Sequence, residues 1–295
     1  MDRILGILAL RQNELPRLLH AGAIFFMVAV TDGIVKSVAA AVFNIRVGVE
    51  QLPLMYSWIA ILFSLSMAVL FWLSSAIKRR RLLFVLMWAV YLLLLCNTGI
   101  LWFGHHWDNA SIHSAFYSFL FISTELARSL AGFQIWIVAG GICYTSRAKV
   151  LFPLLAASTI IGESSGGFAV RFLSPLMASY QLYALGLIIL ALAIFALRPL
   201  VRRYFVSIEG GEQRDFSSLK ENVNYFFHSN YLRLLFLLSI VVFALYTAIH
   251  YGFNVVVREN CSTEAEIASF FGLFYGTTGI GTLLVTTFLL RLFLR

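Results

Sequence analysis

Residues Leu18–Phe43 read LLHAGAIFFMVAVTDGIVKSVAAAVF, an apolar run broken only by His20, Thr31, Asp32, Lys36 and Ser37. A helix needs about 20 apolar residues to cross a hydrocarbon core, and this run exceeds that length. Seven further stretches share its character: Pro53–Ile77, Leu82–Phe103, His113–Tyr144, Val150–Leu176, Leu182–Leu197, Leu232–Val257 and Ala265–Leu290. All are predicted to be helices, because a lone segment in lipid must satisfy its own backbone hydrogen bonds. A closed barrel would instead show ~10-residue alternating segments, and these runs are continuous.

The wider composition agrees. The 295 residues are 60% hydrophobic and only 12% charged, against about 25% charged in soluble domains. Cys96, Cys143 and Cys261 show neither metal-ligand spacing nor a disulfide framework. The expected class is an all-α, polytopic membrane protein with about eight transmembrane helices. Its expected divisions are a six-helix N-terminal bundle (1–197), a cytoplasmic linker (198–231), and the first two helices of a second bundle (232–295).

The formal net charge of +8 would suggest nucleic acid in a soluble protein, but here the basic residues follow the alternating crossings. One side collects 17 of the 22, among them Arg3, Arg11, Arg17, the Lys78–Arg81 cluster, Arg147, Lys149, those of the linker, Arg291 and Arg295. The opposite side has Arg46 and Arg258, and Lys36, Arg128 and Arg171 lie inside helices. This asymmetry predicts cytoplasmic termini in a multi-pass protein, with a bacterial inner membrane as the expected location and His105, His106 and Asn109 facing outward. Nucleic acid is not an expected partner. Within the linker, Leu219, Val223, Phe226 and Phe227 form one apolar stripe on a short helix, capped by Asp215 or Ser217 and predicted to lie on the inner membrane surface.

Charges inside the helices carry the functional signal. Asp32 and Lys36 are four residues apart in the first helix, and Glu125 and Arg128 three apart in the fourth. Glu163 sits near the middle of the fifth, with Arg171 toward its outer end. At ~3 kcal/mol each, six lipid-exposed charges would cost on the order of 18 kcal/mol. They are therefore expected to pair and to line a polar cavity. His250, beside Tyr246 and Tyr251 in the seventh helix, is expected to complete its wall. The leucine-rich third helix, with Leu82, Leu83, Leu86 and Leu92–Leu95, reads as lipid-facing.

Enzymatic chemistry is not expected, and no cofactor or metal is implied. Gly162-Glu-Ser-Ser-Gly166 matches the G-x-S-x-G pattern, yet that chemistry needs a strand-to-helix turn and this match lies in mid-helix. The small residues there serve close helix approach better. Neither H-E-x-x-H nor a P-loop occurs. Asn109-Ala-Ser111 fits a glycosylation sequon.

Two short echoes suggest a same-orientation repeat: Asn13–Leu19 against Asn230–Leu235, and Phe43-Asn-Ile-Arg46 against Phe253–Arg258. Six helices, an amphipathic inner linker and an interior charged set resemble the major facilitator superfamily. Within it, Ser146-Arg-Ala-Lys-Val-Leu-Phe-Pro153, Asn230-Tyr-Leu-Arg-Leu-Leu235 and Phe270-Phe-Gly-Leu-Phe-Tyr275 resemble the ATP/ADP-translocase-type nucleotide transporters and their bacterial relatives. That resemblance implies a secondary transporter of a small anionic solute, a nucleotide or organic phosphate, working by alternating access.

It also implies that Lys36 contacts substrate, with a proton or counter-substrate as coupling partner. Asp32, Glu125, Arg128, Glu163 and His250 complete the expected binding set. The facilitator loop signature G-x-x-x-D-R-x-G-R-R survives only as its basic end, Lys78–Arg81. A non-transporting anchor or sensor module for a fused soluble domain is the competing expectation. The chain is also expected to be incomplete as a transporter, because the Gly/Thr face of its eighth helix (Gly272, Gly276–Gly279, Gly281, Thr282) calls for helical partners beyond Arg295.

Overall fold

The computed structural model describes residues 15–106, 110–142, 148–204 and 228–293. They form eight long helices: α1 (Leu15–Arg46), α2 (Leu52–Ala76), α3 (Arg79–His106), α4 (Ala110–Ile142), α5 (Ala148–Leu173), α6 (Ser179–Tyr204), α7 (Asn230–Asn260) and α8 (Glu264–Phe293). The chain is an all-α, polytopic membrane protein. Local chemistry marks the helix starts. Gly48 turns the chain at φ 104° after α1, and Pro53 follows in the first turn of α2, where its missing N–H costs nothing. Ser229 caps α7 through Leu232 N–H. At α8, Thr263 Oγ1 accepts from Glu266 N–H while Glu266 accepts from Thr263 N–H, a capping box.

Seven of the eight helices are long and apolar enough to cross a membrane, and α4 is the exception. The reason lies in Glu125, Arg128 and Gln134, which lower its hydropathy. It nonetheless runs the full depth of the bundle. Tyr117 approaches Gly104 of α3 at one end, and Trp136 meets Phe152 of α5 at the other, with ring centroids 5.8 Å apart. We call the end holding Leu15 and Tyr204 the near end, and the end holding Arg46 and Glu264 the far end.

Helix α1 is the axis of the fold and packs against α4, α5, α6 and α8. Its most apolar window is 56% buried, against 11% for α2 and none for α7. Glycines let it approach α5 closely. A Cβ at Gly166 would stand 2.3 Å from the Val30 carbonyl oxygen, and one at Gly162 2.5 Å from that of Phe26. The G-x-S-x-G match is thus a helix crossing. Replacing Gly166 with leucine is expected to lower stability by ~1–3 kcal/mol or more, read as a lower thermal midpoint in detergent. Gly132→Ala, with nothing within 4 Å of the new Cβ, is the matched control.

Three expectations change. Helix α3 is lipid-facing on one side only: Leu82, Leu83, Leu86 and Leu94 are buried against α4 and α6, whereas Val85, Trp88, Leu92 and Leu95 are exposed. The linker does not begin at Arg198, because α6 continues to Tyr204 with Arg202 and Arg203 in its last turn; the charges end the apolar run but not the backbone hydrogen bonding. Third, the glycine face of α8 is met within the chain at Gly272, Gly276 and Gly279, but not at Gly281, which has nothing within 4 Å of a new Cβ. Cβ atoms at Gly167 and Gly272 would each strike the other's carbonyl oxygen, at 2.7 and 2.5 Å, and Gly276 abuts Phe168. Of that face, Thr277, Thr278 and Thr282 remain exposed. The amphipathic stripe from Leu219 to Phe227, its caps Asp215 and Ser217, and Cys143 and Asn109 lie outside the described residues.

Helix α8 packs on α5 from the far end to mid-height, whereas α7 joins the rest mainly at the far end. Arg46 Nε donates to Glu264 at 2.5 Å, Ser179 Oγ donates to the same carboxylate at 3.0 Å, and Asn44 Nδ2 donates to Asn254 at 2.8 Å. Arg171 Nη1 donates to Ser269. Toward the near end α7 stands apart: every residue from Arg233 to Tyr246 is exposed, whichever way it points. The two groups of helices are closed at the far end and splayed at the near end.

Candidate functional site

At mid-height, α1, α4 and α5 converge and bring five of the six expected site residues together. The pairing is tertiary. Arg128 uses Nε and Nη2 on Asp32, at 2.6 and 3.3 Å, and Nη1 on both oxygens of Glu125, at 2.6 and 2.7 Å. Lys36 Nζ donates to Glu163 Oε1 at 3.2 Å. Asp32 and Lys36, one turn apart on α1, therefore serve different partners. The α1–α5 crossing explains this: the Glu163 backbone oxygen lies 2.5 Å from where a Gly33 Cβ would be, so Glu163 arrives beside Lys36.

The cluster is accessible. Side-chain exposure is 14% for Lys36 and 17% for Arg128, but 26% for Asp32, 29% for Glu125 and 39% for Glu163. The two cations are recessed and the carboxylates form the lip. Such a gradient fits a wet recess and not a sealed core. Electrically it holds three acids against two bases, because Arg171, expected to balance the set, is engaged with Ser269 near the far end. Fully ionised, the five carry a net charge of −1.

His250 reaches this cluster through an aromatic. Tyr275 of α8 places its ring 3.7 Å below Lys36 Nζ, a cation–π contact, and its hydroxyl lies 3.5 Å from His250 Nε2. His250 Nδ1 meets the Tyr56 hydroxyl of α2 at 2.7 Å, and its ring stacks on Tyr246 at 5.9 Å. The wall expected of His250 is therefore shared with Tyr56, Tyr246 and Tyr275. Reading the sequence singled out Tyr246 but missed Tyr56 and Tyr275, because tyrosines in apolar helices have no local signature separating packing from lining.

A second polar group was also missed. Asn97 of α3 donates to Thr124 and Tyr183, each at 3.1 Å, accepts from Ser123 at 2.8 Å, and Thr124 and Tyr183 share a 2.7 Å bond. All four residues are buried. This knot ties α3, α4 and α6 one turn above Arg128 and so fixes the helix that presents it. At the far end, a separate cavity of about 210 Å³ is lined by Arg46, His105, Tyr117, Ser179, Tyr180 and Glu264, among others, and by none of the mid-height charges.

No group of three or more His, Cys, Asp or Glu side chains suited to a metal occurs among the described residues. Comparison of the chain with known protein families, with characterised proteins and with solved structures gives no match.

Proposed function

We propose that this chain is a secondary transporter of the major facilitator type, moving a small anionic solute, a nucleotide or an organic phosphate, by alternating access. One observation carries the reading: Lys36 and Arg128 are recessed at mid-membrane behind partly exposed carboxylates, between helix groups joined at one end and splayed at the other. Charges in that position cost several kcal/mol each unless they serve a pathway or a packing lock. A pure lock would bury the carboxylates as deeply as the cations. Lys36 and Arg128 bind the anion, and Asp32, Glu125 and Glu163 hold those cations when it is absent.

The near end carries Arg17, Lys78, Arg80, Arg81, Arg198, Arg202 and Arg203, which supports a cytoplasmic near end by the positive-inside rule. The described state is then open inward. Reporter fusions after Ala110 and after Arg214 are expected to read outside and inside respectively; the reverse result overturns the orientation. Transport itself is tested by reconstituting the intact protein in liposomes with labelled ATP or phosphate. Saturable uptake is expected. Its absence for every nucleotide and phosphate tried, in folded and inserted protein, favours the anchor or sensor reading.

A further inference from the structure

We infer that the far-end cavity is a second binding site, for a small free zwitterion, an amino acid with a compact aliphatic side chain, and that its occupant holds the far end shut. The binding does not rest on the transport reading; only its effect on the far end does. The cavity's 210 Å³ equals the share of about seven liquid waters, which is too small for a nucleotide. Small residues create the space: Gly104, Ala178, Ala265 and Ala268 stand where larger side chains would fill it.

Charge on the wall selects the ligand. Arg46 Nε donates to one Glu264 oxygen at 2.5 Å, and Ser179 Oγ donates to the other at 3.0 Å. An ionised carboxylate has about four lone-pair sites, so Glu264 keeps acceptor capacity for a ligand ammonium. Tyr117, Tyr180 and His105 line the same cavity, with the Arg46 guanidinium 5.8 Å from the Tyr117 centroid and the His105 ring 5.2 Å from that of Tyr180. Ring faces attract a cation as well. A ligand carboxylate shares the Arg46 guanidinium with Glu264, as Asp32 and Glu125 share Arg128 at mid-height. A simple anion drawn to Arg46 meets Glu264 at contact range, and a simple cation drawn to Glu264 meets Arg46. Only a ligand with both signs satisfies the pair. Val42, Leu101, Met177 and Leu182 supply an apolar wall for its side chain.

The walls come from both sides of the far-end contact. Arg46 of α1, His105 of α3, Tyr117 of α4 and Tyr180 of α6 stand against Glu264 and Ala268 of α8. The complete site therefore exists only while α8 is seated. A ligand that binds one arrangement alone shifts the equilibrium toward it, about hundredfold at a concentration about a hundred times Kd. An exposed ion pair that is a weak latch alone is thereby reinforced.

The test titrates the intact protein by calorimetry in nanodiscs of phosphatidylglycerol, a lipid without an ammonium group. The probes are L-leucine, isocaproate (leucine without its ammonium) and isoamylamine (leucine without its carboxylate). L-Leucine is expected to bind about tenfold more tightly than either, or better. Ala268→Leu fills the cavity with every charge left in place and is expected to abolish binding. Glu264→Gln keeps the shape without the charge; it is expected to weaken leucine about tenfold and to bind isocaproate more tightly than wild type does. Should Ala268→Leu fail to fold, that reversal of preference still decides. For the far end, Ile267→Cys is introduced with Cys96, Cys143 and Cys261 replaced by serine, because Ile267 is fully buried at this contact. Leucine is expected to slow its labelling by a maleimide about fivefold or more. Absence of saturable leucine binding, equal affinity for the three probes, or undiminished binding to Ala268→Leu overturns the site. Leucine binding with labelling unchanged overturns the latch and keeps the site. Leucine binding and protection without uptake of ATP or phosphate overturns the transport reading and leaves this inference standing.

Discussion

Arg128→Ala is expected to abolish uptake and to cost ~3–5 kcal/mol of stability, the scale for removing one partner of a recessed ion pair. Two carboxylates depend on that guanidinium, Asp32 from α1 and Glu125 from its own helix. Without it they face each other as like charges with no cation between them. Arg128→Lys is expected to recover only part of the loss, because an ammonium cannot offer two forks to two carboxylates. The triple change Arg128→Ala, Asp32→Asn, Glu125→Gln separates the roles: it removes the stranded charges and is expected to restore the thermal midpoint while leaving uptake absent. Uptake by the triple variant would show that Arg128 only locks the helices. Lys36→Ala is expected to abolish uptake at a smaller stability cost, since it strands one carboxylate that is already 39% exposed.

Much of this architecture is legible in the sequence because the bilayer makes the reading one-dimensional. Long apolar runs in lipid have one common solution, and the eight runs from Leu18 to Leu290 correspond to eight helices. Errors fall where charge and backbone disagree, as at Arg198–Tyr204, where the apolar run ends but the helix does not. The small residues of the fifth run also announce close approach, but not to which helix. Their crossing with α1 and their crossing with α8 both use carbonyl oxygens, which the sequence does not specify.

The site was legible as a set and not as a network. Five charges in three apolar helices must meet, since each is too costly alone. Local spacing, though, suggests Asp32 with Lys36 and Glu125 with Arg128, and only the second pair forms. What decides is the register of α1 against α5, set by Gly33 and Gly166, which carries Glu163 to Lys36 and leaves Asp32 to Arg128. The expectation that Arg171 belonged to the balance failed for the same reason: its distance along α5 puts it at the far end, beside Ser269. The leucine-rich third helix misled because a uniformly apolar helix has no moment to say which side faces lipid.

Chemical linkage of residues 46 and 264 is expected to cut uptake at least tenfold, reversibly. The far end is held by the Arg46–Glu264 pair at 2.5 Å, the Asn44–Asn254 bond at 2.8 Å and the Arg171–Ser269 bond. Exposing the recess to the far side requires α7 and α8 to part from α1, α5 and α6, which breaks all three. As an exposed pair, Arg46–Glu264 alone is worth ~0–1 kcal/mol, so Arg46→Ala is expected to change uptake about fivefold or less. A covalent link removes the open state outright. The variant for this test carries Arg46→Cys and Glu264→Cys with Cys96, Cys143 and Cys261 replaced by serine, and a short bis-thiosulfonate reagent bridges the pair. Dithiothreitol must restore uptake, and each single cysteine variant treated with the reagent must keep it. Full uptake by the bridged protein would mean that the far end stays shut throughout the cycle. The solute would then cross without α7 and α8 parting from α1, α5 and α6, and alternating access by separation at that end would fall.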